Sequence, residues 1–345
     1  MKKTKLIIRL LSFFAVVFIL TLNVFGTDYK YTQGKAQNEL SFNDIVVYPG
    51  GMPFGVKIYS KGLTVVKFAS NECPAYKAGI KVGDIIVKIN DKEINSIEDF
   101  SSIVNIFGKN PLNVTVLRND KSYTFKVTPV YSPDDGCYKT GIWVKDSTSG
   151  IGTVTFINPE NNSFGGLGHG ICDSKNGKVI PLAKGTVLEV NINGVIKGKV
   201  GSAGELKGSF TNKKIGSLTK NCSQGVFGFL SDNNYQSPED KMKLCPKEEI
   251  CEGEAYIWCT LNGDKPEKYS VEISNIDLNN QNGIKNFRVK VTDLKLLESS
   301  GGIVQGMSGS PIIQNGRLIG AVTHVLINDP TCGYGIFIEN MINQI

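Results

Sequence analysis

Histidine is nearly absent from this chain: two occur in 345 residues, His169 and His324. Chemistry that needs an imidazole must use one of these two positions. The eight cysteines (73, 137, 172, 222, 245, 251, 259 and 332) include no Cys-x-x-Cys pair. With so few histidines beside them, no structural zinc or other metal site is expected, and no cofactor. Basic patches interleaved with aromatics are also missing, so nucleic acid is not an expected partner. The formal charge is +6, but Lys2, Lys3, Lys5 and Arg9 supply four of those charges, leaving +2 for everything after them. At 41% hydrophobic residues the chain is too apolar to be disordered, and its length fits two or three domains.

The basic N-terminus precedes Leu10 to Phe25, a run of about sixteen largely apolar residues, the layout of an export signal with a positive inner flank. No clear small-x-small cleavage site follows at Asn23 to Thr27. Residues 1–27 therefore read as a signal-anchor or transmembrane segment that ties the protein to a membrane, and 28–41 as a polar tether. In an exported chain an even set of cysteines leaves disulfides possible, without fixing their connectivity.

What is present is glycine in two conspicuous places. In Gly306-Met307-Ser308-Gly309-Ser310-Pro311 two glycines bracket a serine. Such a turn can fold tightly around Ser308 and aim the amides of Gly306 and Ser308 inward, as an oxyanion hole requires. It also fits a plain glycine-rich turn between strands. The second place is Phe164-Gly165-Gly166-Leu167-Gly168-His169-Gly170, where the glycines suggest a backbone that approaches something closely. His169 is thus the candidate base, whereas His324, inside the apolar strand Leu318 to Ile327, reads as a core residue. Cys172 is a weaker candidate nucleophile, since it lacks a glycine-framed turn. Among 32 carboxylates, Asp293 ends an alternating run shortly before the serine loop and is a candidate to orient an imidazole.

From 42 to 130 the pattern is of short strands and short helices. Val56 to Tyr59 and Leu63 to Phe68 alternate as half-buried strands do. Pro74 opens a short helix that Gly79 closes, and Ser96 caps a helix from Ile97 to about Phe107. The run Pro74-x-x-x-Ala78-Gly79-Ile80-x-x-Gly83-Asp84-Ile85-Ile86 resembles a PDZ domain of bacterial exported proteases. The resemblance implies a peptide groove between the strand at Val56 to Tyr59 and the helix after Ser96. Phe54, Gly55 and Val56 would then stand at the carboxylate-binding loop, although Pro53-Phe54-Gly55-Val56 departs from the usual Gly-Leu-Gly-Phe.

After a turn-rich linker over 131–140, residues 141–345 are β-rich and glycine-punctuated, which suggests a β-barrel or a pair of barrels. The polar stretch from Ser231 to Glu249 reads as a loop or short helix. The expected fold is mainly β: a PDZ domain followed by a chymotrypsin-like double β-barrel.

This second part resembles the peptidase domain of the stage IV sporulation protein B family. The motifs that carry the likeness are Gly166-Leu167-Gly168-His169 and Gly301-Gly302-Ile303-Val304-Gln305-Gly306-Met307-Ser308-Gly309-Ser310-Pro311. The resemblance implies that His169 is the general base, that Asp293 orients it, and that Ser308 is the nucleophile, with Ser310 as the decoy. It implies a serine endopeptidase in the space between the two forespore membranes. There it would cleave itself and the regulatory partner of a membrane-embedded metalloprotease, releasing a late mother-cell sigma factor. An exported PDZ protease with another target, or an inactive PDZ scaffold, are the other readings.

Overall fold

The computed structural model describes residues 42–119, 121–173, 177–231 and 240–345. The expected signal-anchor and tether, at 1–41, lie outside them; among the described residues no helix is long and apolar enough to cross a membrane.

The described residues begin with a 3-10 turn (Phe42–Asp44), β1 (Val46–Pro49) and β2 (Pro53–Phe68), then α1 (Pro74–Lys77), β3 (Ile85–Ile89) and β4 (Lys92–Glu93). Next come α2 (Ile97–Phe107), the hairpin β5 (Leu112–Arg118) and β6 (Lys121–Val127), and a second hairpin of β7 (Val130–Ser132) and β8 (Cys137–Lys139). Leu63, Ile86, Val114, Phe100 and Val104 form the core of this first module, the one expected to be a PDZ domain. Its glycine-aspartate motif has a physical reason. Asp84 is 1% exposed, and its carboxylate accepts from Arg118 Nε and Nη2 at 2.7 Å each and from the Lys81 amide at 2.8 Å. Arg118 also donates to the Gly79 carbonyl, so one buried ion pair fixes the turn against β5. The expected cap on α2 is present: Ser96 Oγ accepts from the Asp99 amide at 3.0 Å.

β9 (Ile142–Ile157), β10 (Ser163–Gly166), β11 (Lys184–Ile196), β12 (Glu205–Cys222) and β13 (Gly225–Leu230) follow. Pairing runs β2-β9-β10-β13-β12-β11 and back to β2, which closes a six-stranded antiparallel barrel. β14 (Met242–Lys243), within the stretch read as polar loop, pairs with β1. The second barrel is built from β15 (Gly253–Cys259), β16 (Glu267–Ser274), β17 (Phe287–Val291), β18 (Pro311–Gln314), β19 (Arg317–Leu326) and β20 (Asp329–Phe337), closed in the order β15-β16-β17-β20-β19-β18. Helix α3 (Leu294–Ser300) leads into the serine loop and α4 (Ile338–Ile342) ends the fold. Phe156, Phe227, Trp258, Ile313 and Ile336 pack the two barrels together, with Met341 of α4.

This pairing corrects the expected peptide groove. Val56 to Tyr59 is no free edge, because it pairs with β9 on one side (Val56 with Gly150, Tyr59 with Ser147) and β11 on the other (Val56 with Val187, Tyr59 with Lys184). Phe54 and Val56 are buried in the first barrel beside Phe164 and Leu167. Gly55 is needed there for packing: a Cβ on it would stand 2.5 Å from the Phe210 ring. These three residues form a barrel stave rather than a carboxylate loop. Alternating apolar residues look the same on a sheet edge and in a barrel wall, so the pattern could not tell the two apart.

β2 and β9 each run through both modules. Beyond a register break between Tyr59 and Thr64, the second half of β2 pairs with β3 and with Ile142–Lys145 of β9. Ile142 and Val144 pack on the core of the first module, while Val154 and Phe156 of the same strand lie in the barrel cores. The expected linker is also structured: the Tyr138 amide donates to Asn105 Oδ1 of α2 at 2.8 Å. All eight cysteines are free thiols.

Candidate active site

The serine loop starts where α3 ends, at Gly301 with φ +75°. Gly306 and Gly309 have φ of +99° and +94°, a region that favours glycine. At Gly309 space forbids any side chain as well, since a Cβ would meet the Thr153 carbonyl oxygen at 2.0 Å. β9 holds the loop from the first barrel. Thr153 Oγ1 donates to the Gly306 carbonyl at 2.8 Å, the Thr153 amide to the Ser308 carbonyl at 2.9 Å, and Thr155 Oγ1 to the Gly309 carbonyl at 2.8 Å. From the second barrel, the Gly309 amide donates to the Val322 carbonyl and the Val322 amide to the Ser310 carbonyl. With its carbonyls tied back, the loop leaves the amides of Gly306 and Ser308 without an acceptor among the described residues. Two such donors side by side are what a developing oxyanion requires.

Ser308 and Ser310 differ in access. Ser308 lines a cavity of about 750 Å³ between the barrels, whereas Ser310 is 0% exposed and its hydroxyl has no hydrogen-bond partner among the described residues. The Ser308 hydroxyl donates to the Thr323 carbonyl of β19 at 2.8 Å.

His169 reaches the same cavity from the first barrel, just after β10. Leu167 and Gly168 both have positive φ, which turns the chain inward; a Cβ on Gly168 would come within 2.9 Å of the Thr323 side chain. The close approach inferred from the glycines is therefore to β19. His169 Nδ1 lies 3.0 Å from the Gly170 carbonyl. A carbonyl can only accept, so the proton sits on Nδ1 and Nε2 is left as a base. Burial pushes the His169 pKa below the usual histidine value, opposed by that hydrogen bond.

Asp293 is elsewhere. It is the N-cap of α3, where Oδ1 accepts from the Leu296 amide at 3.0 Å and Oδ2 from the Ser270 amide at 3.3 Å. The structure brings Ser308 and His169 to one cavity and does not bring Asp293 to His169. Its place before the serine loop reflects a helix start. Beside His169 stands His324 instead, with ring centroids 5.0 Å apart and planes at 43°, and it lines the same cavity. The core reading of His324 is thereby corrected. Its apolar neighbours along β19 masked it; the signal was a polar Thr323-His324 pair within that run. Cys172 also lines the cavity, with its thiol turned to the Gly170 carbonyl at 3.6 Å.

Two antiparallel six-stranded barrels with a serine and a histidine facing one cleft are the arrangement found in serine peptidases of the two-barrel class. The sequence profile of SpoIVB peptidase S55 matches residues 136–342, and that of a PDZ domain residues 36–128. The chain belongs to the SpoIVB peptidase S55 family. Similar proteins include a putative zinc metalloprotease of Bartonella henselae, 29% identical over 91 residues (26% of this chain and 24% of that protein). A probable protease of Enterococcus faecalis is 41% identical over 56 residues, 16% of this chain and 13% of that one. The chain thus spans no more than about a quarter of the length of these relatives. Among solved structures, the active form of the Rv3671c protease of M. tuberculosis is 13% identical with a TM-score of 0.33, covering 57% of this chain and 73% of that one. The PDZ domain of an SdrC-like protein of Listeria monocytogenes is 18% identical with a TM-score of 0.23, covering 25% and 90%.

Proposed function

We propose that this chain is a signalling endopeptidase of sporulation that cuts itself and then the regulatory partner of a membrane-embedded metalloprotease, releasing a late mother-cell sigma factor. The observation that carries the peptide-cleaving step is the meeting of Ser308, His169 and two free loop amides in one cavity. The Ser308 hydroxyl leaves the Thr323 carbonyl, passes its proton to His169 Nε2, and attacks the peptide carbonyl. The amides of Gly306 and Ser308 hold the oxyanion. His169 then gives the proton to the leaving amine, and water releases the acyl group by the same steps in reverse. Membership of the S55 family supports a role in sporulation.

Export to the space between the forespore membranes, with the N-terminal segment as anchor and the tether as the site of self-cleavage, belongs to the same proposal. The test is to express residues 28–345 as wild type, Ser308→Ala and Ser310→Ala, and follow self-cleavage and fluorophosphonate labelling. Loss in Ser308→Ala alone supports the assignment; loss in Ser310→Ala alone overturns it. For the pathway, a strain lacking the gene that still processes its late sigma factor on time would rule the signalling role out.

A further inference from the structure

His324 has no part in the steps above, yet its strand supplies the carbonyl that holds the Ser308 hydroxyl and its ring lies 5.0 Å from the base. Its Nδ1 is buried without a hydrogen-bond partner among the described residues. A buried, unpaired ring nitrogen costs stability, and a residue serving only to fill space would do better without it. His169 meanwhile has one hydrogen-bond partner among the described residues, the Gly170 carbonyl, and it must become a cation in a buried site once it takes the serine proton. The carboxylate of Asp293 is engaged with α3 and β16.

We propose that His324 is the positioning residue for His169, offering a ring nitrogen that shares the imidazolium N–H with the Gly170 carbonyl while Ser308 is acylated. The inference rests on the serine-peptidase reading above. Imidazoles whose nitrogens face each other at about 3 Å have centroids about 5 Å apart, and the two rings stand at that separation. Burial, then His169 and Lys285, push the His324 pKa down to about 4, so the ring is neutral and keeps a lone pair where His169 works. The serine proton goes to His169 Nε2 and on to the leaving amine. His324 neither gains nor loses a proton.

The test compares wild type, His324→Phe and His324→Gln, each as residues 28–345, by the maximal rate of fluorophosphonate labelling, the half-saturating probe concentration and the thermal midpoint. Phenylalanine keeps the bulk and removes the nitrogen; glutamine restores an acceptor. His324→Phe is expected to slow maximal labelling roughly ten- to a hundredfold, with half-saturation within about twofold and a thermal midpoint no lower than wild type. His324→Gln is expected to recover most of the rate. Labelling of His324→Phe at the wild-type rate overturns the proposal, as does a glutamine variant as slow as phenylalanine. A wild type that never labels at Ser308 sinks the serine-peptidase reading itself, a different result from either.

Discussion

The Thr153 hydroxyl donates to the Gly306 carbonyl at 2.8 Å, across the cleft between the barrels. This places one edge of the candidate oxyanion hole under the control of β9. Thr153→Val keeps the shape and the bond from the residue 153 amide but leaves the Gly306 carbonyl unpaired. Labelling and self-cleavage are expected to slow roughly ten- to a hundredfold through misplacement of the loop amides. Unfolding should cost about 1–3 kcal/mol less than in wild type. An unchanged rate would show that the loop does not depend on this bond.

Histidine burial sets the direction of the pH response. His169 must be neutral to act as a base, and burial lowers its pKa, so the acid limb of the labelling rate is expected below pH 6.5. A midpoint above 6.5 would contradict the buried site.

Stability should follow His324. Its pKa is about 4 in the folded protein, against about 6.5 in an unfolded chain. As pH falls from about 6.5 toward about 4, the unfolded chain takes up a proton that the folded one refuses, so stability present near neutrality is lost. His324→Phe should flatten part of that loss in denaturant midpoints measured between pH 7 and pH 4.

Asp293 as a helix cap makes its own demand. Asp293→Ala removes the acceptors for the Leu296 and Ser270 amides and is expected to lower stability by about 1 kcal/mol, whereas Asp293→Asn keeps the cap on Leu296 but turns an NH2 toward the Ser270 amide and should lose less than alanine does. Equal destabilisation by both substitutions would argue that the negative charge matters more than the cap.

The paired state of Val56 to Tyr59 is open to hydrogen exchange. Buried in a closed barrel, those amides should be among the slowest in the chain, and added carboxyl-terminal peptides should leave them unchanged. Fast exchange there would mean that the barrel opens and the expected groove exists part of the time.

Glycine and proline made much of this fold legible. The turn at Gly83-Asp84, the cap at Ser96 and the loops around His169 and Ser308 stand where local geometry required them, because positive φ and steric crowding write themselves into composition. Pairing across long distances did not. Nothing in Val56-Lys57-Ile58-Tyr59 says that Lys184 to Val187 will lie along one side of it and Ser147 to Gly150 along the other. The same holds for His324, whose apolar neighbours mark a strand without saying that His169 faces it. Asp293 shows the converse, since a carboxylate near a catalytic serine in sequence can serve a helix end in space.

The shared staves β2 and β9 bear on how this architecture could have been assembled. Modules strung on flexible linkers can be shuffled, lost or duplicated by recombination at the joints between them. Here a cut at Gly141 would leave the barrel without β2, a five-staved sheet with two raw edges at Gly150 of β9 and Val187 of β11, where Val56 now pairs with both. The PDZ module is therefore not a bead on a linker: it continues two strands that the first barrel uses as staves, and the two are joined through continuous sheet.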